Sequence, residues 1–237
     1  MPLKTLALIP ARAGSKRVPG KNARLLGGKP LVQWTFDAAQ SAQRVDRILL
    51  SSDDSDVATI ATRAGIDVLV RPAALASDHA NSVDVALHAL DKEREAGRHW
   101  DVLCLLQPTS PFRAPGRVDE GLALLANSPT FEGVVGAVTP NHHPLHCLIQ
   151  MADGVLSQVV AANSPISANR SQDLPAAWAL TGSFYAVRTA ALRAHRSFLP
   201  PACLPLNCNA PGEEIDIDWP SDFDRAEAHI ASTMASV

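Results

Sequence analysis

Short apolar runs and amphipathic stretches alternate along the first 140 residues. Thr5 to Pro10 is an apolar run of strand length, Leu31 to Gln43 places its apolar positions at helical spacing, and Val45 to Ser52 (VDRILLSS) is strand-like again. Asp53 to Ala64 opens with acidic and Ser residues suited to a helix N-terminus. A strand over Ile66 to Val70, a helix from about Ala80 to Ala96, a strand over Val102 to Leu106, a helix from about Gly116 to Ala126 and a strand over Gly133 to Val138 follow. This alternation predicts a parallel sheet with crossover helices. The run VLCLL has no polar position, so both its faces are covered, which favours an α/β sandwich over an open antiparallel sheet.

From about Pro140 to Leu180 the texture changes. His, Pro, Asn, Ser and Gln become frequent, and MADGVLSQVV reads as two short strands around an Asp-Gly turn. Residues 140–180 are therefore expected to form an insertion between two parts of one domain, 1–139 and 181–237. After it, Ser183 to Val187 resumes a strand, Leu204 to Leu206 is a short one, and Ser221 to Ser232 makes a terminal helix.

Ligands of such folds lie at the carboxyl ends of the strands. That rule gathers Pro10 to Asn22, Ser51 to Asp53 and Gln107 to Arg113 around one cleft. The first of these segments, IPARAGSKRVPGKN, is rich in glycine and cations: Arg12, Gly14, Ser15, Lys16, Arg17, Gly20 and Lys21 follow directly on a strand. Backbone N–H groups turned toward an anion, with full charges beside them, suit a polyphosphate. The loop matches neither GxxxxGK[ST] nor GxGxxG, and on composition alone a solvated turn explains it as well. Near the other end of the chain, EEIDID offers Asp216 and Asp218, which share one face of an extended segment. Paired carboxylates are hard oxygen ligands of the kind Mg²⁺ prefers, although a lone DxD is commonly only solvated. Together the two motifs point to metal-assisted transfer from a nucleoside triphosphate.

Composition narrows the alternatives. The 237 residues suffice for one large domain with a small appendage, and 46% hydrophobic with 19% charged residues is ordinary for a globular protein. A net charge of −3 argues against a general nucleic-acid or membrane-surface binder, since the cations are concentrated between Arg12 and Arg24. No run of about 18 apolar residues predicts a membrane span, and the N-terminal apolar run lacks a signal-cleavage context, so a cytoplasmic location is expected. Cys104, Cys147, Cys203 and Cys208 form no CxxC pair and read as reduced packing thiols. His142, His143, His146 and Cys147 have zinc-compatible chemistry, but adjacent residues rarely converge on one ion.

IPARAGSKRVPGKN followed by ARLLGGKPL resembles the N-terminal signature of the acylneuraminate cytidylyltransferases. RPAALASDHANSVDVALHAL (Arg71 to Leu90), LQPTSPFR (Leu106 to Arg113), HHPL (His142 to Leu145), QDLP (Gln172 to Pro175) and EIDID (Glu214 to Asp218) are similar to further stretches of the same family, in the same order. The resemblance implies a three-layer, Rossmann-like α/β nucleotidyltransferase fold with a mostly parallel sheet and a dimerisation insertion. It implies transfer of CMP from CTP to a sialic-type nonulosonic acid, with release of pyrophosphate, in a homodimer without nucleic-acid or membrane partners. By the same resemblance Arg12, Gly14, Ser15, Lys21 and Asn22 hold the triphosphate and nucleotide, Arg71 and Ser82 read cytosine and ribose, and Asp216 and Asp218 hold Mg²⁺. Arg12 and Lys21 also stabilise the leaving pyrophosphate. Gln107, His146, Arg170, Tyr185 and Phe198 fall on the acceptor side.

The chain departs from the family pattern on that acceptor side. His146 stands where Lys is frequent, Ser171 replaces the second Arg of RRQDLP, and Thr181-Gly182-Ser183-Phe184-Tyr185 replaces NGAIY. These departures keep a second acceptor open, either another 2-keto sugar acid or a sugar 1-phosphate. A silent nucleotide-binding homologue is the third reading, and the intact Arg12, Lys21, Asp216 and Asp218 speak against it.

Overall fold

A computed structural model describes residues 2–76, 81–159 and 174–235. Its centre is a seven-stranded sheet built in chain order from β1 (Thr5–Ala11), β4 (Arg47–Ser52), β5 (Asp67–Val70), β6 (Val102–Leu105), β7 (Gly133–Val138), β10 (Ala179–Arg188) and β11 (Cys203–Asn207). Across the sheet they lie in the order β11-β7-β10-β6-β1-β4-β5. β1 pairs in parallel with β4 and β6, β4 with β5, and β7 with β11. Only β10 runs antiparallel, inserted between β6 and β7, with an irregularity between Leu180 and Tyr185.

The period-2 alternation of each strand divides the core into two layers. On β1, Ala7 and Ile9 face α1 (Leu31–Ser41), α2 (Ser55–Arg63) and α5 (Arg117–Ala126), where Phe36, Val57 and Leu125 are fully buried. Leu6 and Leu8 face the opposite side, against α4 (Ser82–Glu95) and α6 (Thr189–His195), packing with Ala86, Ala89 and Leu192. Both faces are thus covered, as the all-apolar VLCLL requires. At Gly121 the approach of α5 to the sheet is so close that a Cβ would stand 2.4 Å from the Phe184 ring.

The caps follow the sequence. Asp54 accepts from the Asp56 and Val57 amides and opens α2, and Asn81 accepts from Asp84 N and opens α4. Elements without a strong pattern are additional: the hairpin of β2 (Leu25–Leu26) and β3 (Lys29–Pro30), the one-turn α3 (Ala73–Ala76), and α6, seven residues long with no side-chain cap. Between β7 and β10, a 3₁₀ turn at Pro144–His146 precedes β8 (Leu148–Gln150) and β9 (Leu156–Gln158). These two strands pair with each other around the Asp-Gly turn and not with the main sheet. The terminal helix α7 (Pro220–Met234) packs Phe223 and Ala226 against Val18, Leu26, Ile215 and Ile217. This third small core ties the basic loop to the acidic segment, two parts of the chain separated by nearly 200 residues.

Candidate functional site

The carboxyl ends of β1 and β6 and the N-terminus of α4 surround a cleft of about 530 Å³. Arg12, Ser15, Lys21 and Asn22 line it from the basic loop, Arg71 and Ser82 from the β5 side, Gln107 from the end of β6, and Asp218 from the acidic segment. Of the segments expected to meet at the strand ends, Pro10 to Asn22 and Gln107 to Arg113 contribute to the lining, whereas Ser51 to Asp53 contributes none of it.

The loop after β1 is held from below. Ala13 N donates to Asp53 Oδ1 at 2.9 Å, and Asn22 Nδ2 to the Arg12 carbonyl at 3.3 Å. Gly20, at φ +64°, is where the loop requires glycine. Gly14 lies in open space without a left-handed φ and is not among the residues lining the cleft, so neither crowding nor strain demands a glycine there.

On the opposite side, Arg71 is buried, at 7% exposure. It donates from Nε to Ser51 Oγ (3.3 Å) and from a terminal nitrogen to the Ser51 carbonyl (2.9 Å). Burial lowers its pKa from the ordinary value, Asp53 opposes that shift, and Arg12 reinforces it. Arg12, Asp53 and Arg71 thus share one electrostatic neighbourhood. Ser82 is the first residue of α4, with Asn81 supplying the cap, so its side chain sits at the positive end of a 14-residue helix.

The acidic segment differs from expectation in one respect: residues 215–218 are extended but join no ladder. Alternation survives, because Ile215 and Ile217 are buried in the third core while Asp216 and Asp218 face outward. One backbone bond, Ile217 N to the Thr109 carbonyl at 2.7 Å, ties the segment to the turn after β6. Lys21 Nζ donates to the Ile217 carbonyl (2.6 Å) and to Asp218 Oδ1 (3.1 Å), and Arg17 reaches Asp218 Oδ2 at 3.1 Å while stacking on Trp219. Crowding by protein raises the pKa of Asp216; Thr109 hydrogen bonding opposes the rise and Asp218 adds to it. Asp218 lines the cleft and Asp216 does not, but the two carboxylates on one segment are oxygen donors of the kind that would hold a divalent cation.

The acceptor-side residues are less closely gathered. Burial raises the pKa of the Tyr185 phenol, the nearby Asp216 adds to the rise, and the Tyr185 ring lies 5.7 Å from that of Phe198. Neither lines the cleft, and Phe198, 8% exposed, belongs to the core between α6 and the sheet. His146 is exposed on the 3₁₀ turn, away from the cleft lining. Arg170 and Ser171 lie outside the described residues. Thr181 Oγ1 bonds the Gly136 carbonyl and Ser183 Oγ, so its hydroxyl is engaged within the sheet. Among the described residues no cluster of His, Cys, Asp and Glu forms a metal cage, and the His142 to Cys147 run makes none.

Arg17, read from the sequence as one of the loop's cations, lines the cleft, and Asp53 and Thr109 join it although residue types alone did not select those two. Their signal lay in position, since all three follow the carboxyl ends of strands.

A basic loop facing an acidic segment across the strand ends of a covered sheet is the arrangement of a nucleotidyltransferase. Residues 6–229 match the family model described as cytidylyltransferase, and the chain belongs to that family. It is 33% identical over 223 residues to the CMP-N,N'-diacetyllegionaminic acid synthase of Legionella pneumophila, covering 93% of this chain and 94% of that protein. It is 30% identical over 185 residues to the pseudaminic acid cytidylyltransferase of Campylobacter jejuni, covering 77% of this chain and 78% of that one. Its fold is similar to that of a CMP:2-keto-3-deoxy-manno-octonic acid synthetase solved with CTP (TM-score 0.71, 20% identity, 97% of this chain and 99% of that one).

Proposed function

We propose that this enzyme transfers the cytidylyl group of CTP to a nonulosonic acid, forming a CMP-sugar and pyrophosphate. The observation that carries the reading is the approach of Lys21 and Arg17 to Asp218 inside one cleft, with Asp216 on the same segment. The anomeric oxygen attacks the α-phosphorus, the bond to the β-phosphate oxygen breaks, and the hydroxyl proton passes to solvent. Arg12 and Lys21 carry the charge of the departing pyrophosphate. Arg71 and Ser82 hold the nucleoside end, and Gln107 faces the acceptor. Asp216 and Asp218 would hold Mg²⁺, which when bound offsets triphosphate charge and acidifies the acceptor hydroxyl.

The relatives' names favour a nonulosonic acceptor over a sugar 1-phosphate. The expected result is pyrophosphate release with CTP, Mg²⁺ and at least one member of a legionaminic, pseudaminic and sialic acid panel, and little with ATP, GTP or UTP. Release only with sugar 1-phosphates would overturn the acceptor assignment.

The same proposal includes a homodimer built on the insertion. Leu148, Ile149, Val155 and Leu156 are each more than half exposed on the β8–β9 hairpin, an apolar surface that a second copy would cover. The register places Leu148 and Leu156 on one face. Analytical ultracentrifugation should therefore find a dimer that Leu148→Asp combined with Leu156→Asp converts to monomer. A monomeric parent protein would contradict this part of the proposal. A cytoplasmic location accords with four free cysteines, and recovery in a secreted fraction would oppose it.

A further inference from the structure

The turn Gln107 to Thr109 serves two halves of the site at once. Its first residue lines the cleft, and the carbonyl of its last receives the Ile217 amide of the acidic segment. What holds this turn is a cation, Arg113, which the transfer chemistry described above does not use. Its guanidinium donates from Nε to the Ser183 carbonyl (2.8 Å), from one terminal nitrogen to Thr35 Oγ1 (3.1 Å), and from the other to the Gln107 carbonyl (2.8 Å).

These partners are two carbonyls and a hydroxyl; among the described residues no carboxylate accepts from Arg113. Enclosing a cation without a directly bonded anion is costly, and burial brings the Arg113 pKa down to about 10. Charge pairing therefore does not explain the residue, whereas geometry does. A planar fork meets three acceptors fixed on α1, β10 and the turn, which a lysine ammonium on a flexible stem would match poorly. Thr35 is fully buried, and Ser110, also fully buried, adds its amide to the Gln107 carbonyl (3.3 Å). On the far side Gly182, at φ +76°, lies beside the Gln107 amide, whose Oε1 would stand at ordinary contact distance, 3.4 Å, from a Cβ there.

We infer that Arg113 is a positioning residue for the transfer: by locking the Gln107 carbonyl it aims the Gln107 amide into the cleft and fixes the turn on which the Asp216 segment hangs. This inference rests on the cytidylyltransferase reading and names a group within that site that acts through others.

Three variants of the full-length protein test it: Arg113→Lys, Thr35→Val and Gln107→Ala. Hydrogen exchange of the peptide covering residues 106–112 should accelerate about tenfold in Arg113→Lys and less in Thr35→Val, while exchange in β1 stays at the parent rate. Thr35→Val removes one Arg113 acceptor, together with the long 3.5 Å bond from Thr35 Oγ1 to the Gln107 carbonyl, at nearly constant shape and serves if Arg113→Lys folds poorly. In pyrophosphate assays Arg113→Lys should raise the acceptor KM about tenfold to 100-fold with a smaller change in the KM for CTP. Combined with Gln107→Ala it should raise the acceptor KM little beyond the worse single variant, because Arg113 reaches the acceptor only through Gln107. Parent-like exchange of the turn in Arg113→Lys overturns the inference, as do multiplicative rises of the acceptor KM in the double variant. If the parent enzyme transfers CMP to no acid, the functional reading fails instead, and the exchange data still decide whether Arg113 holds the turn.

Discussion

Asp218→Asn lowers turnover by about 10³-fold or more while the protein stays folded, an effect of several kcal/mol on the transition state. The loss follows from chemistry: an amide is a weaker, uncharged ligand for a hard cation, and Asp218 is the carboxylate that lines the cleft opposite the basic loop. The fold is spared for a separate reason. Asp218 pairs with Arg17 through side chains that are 46% and 53% exposed, and ion pairs so open to water contribute about 0–1 kcal/mol. The amide oxygen of Asn can still accept from Lys21. Pyrophosphate release and thermal melting, measured on the same preparation, separate the two effects. Turnover within tenfold of the parent would exclude Asp218 from the proposed metal role.

Lys21→Met is expected to reduce kcat/KM for CTP by about 100- to 1000-fold. At 9% exposure the ammonium sits where water screens it little, so its charge acts strongly on a phosphate brought beside it. Met keeps most of the stem's packing, but the Ile217 carbonyl loses the 2.6 Å partner that Lys21 supplies. Stability therefore falls too, by about 1–3 kcal/mol, the cost of leaving a buried acceptor unpaired. Titration calorimetry with CTP should show weakened binding alongside the kinetic loss. Parent-like CTP binding and turnover would mean that Lys21 only braces the acidic segment.

Much of this site was legible before the fold. The strand-helix alternation located β1, β4, β6 and β7 within a residue or two, because their apolar runs are short, unbroken and bounded by turn residues. Once those strands and β5 are parallel, the loops that follow their carboxyl ends must share a cleft, which brings Arg12, Arg71 and Gln107 together. Short elements escaped: α6 has seven residues and no side-chain cap, and the Leu25–Leu26 strand has two residues, too few for any period.

Residue types and their order suffice for the chemistry available: a cationic glycine-bearing loop, a pair of alternating carboxylates and the strand ends that display them. Those properties are local, set by residue type and by periods of two and 3.6. Only the tertiary structure decided which groups touch. That Lys21 reaches Asp218 across 197 positions, that β10 enters antiparallel between β6 and β7, and that Ile217 hangs on Thr109 are matters of long-range packing. The same packing sent Phe198 into the core, turned the Thr181 hydroxyl toward Gly136, and gave Arg113 two carbonyls and a hydroxyl to hold. Side-chain direction depends on the neighbours that the fold assembles around it, and no local period encodes them.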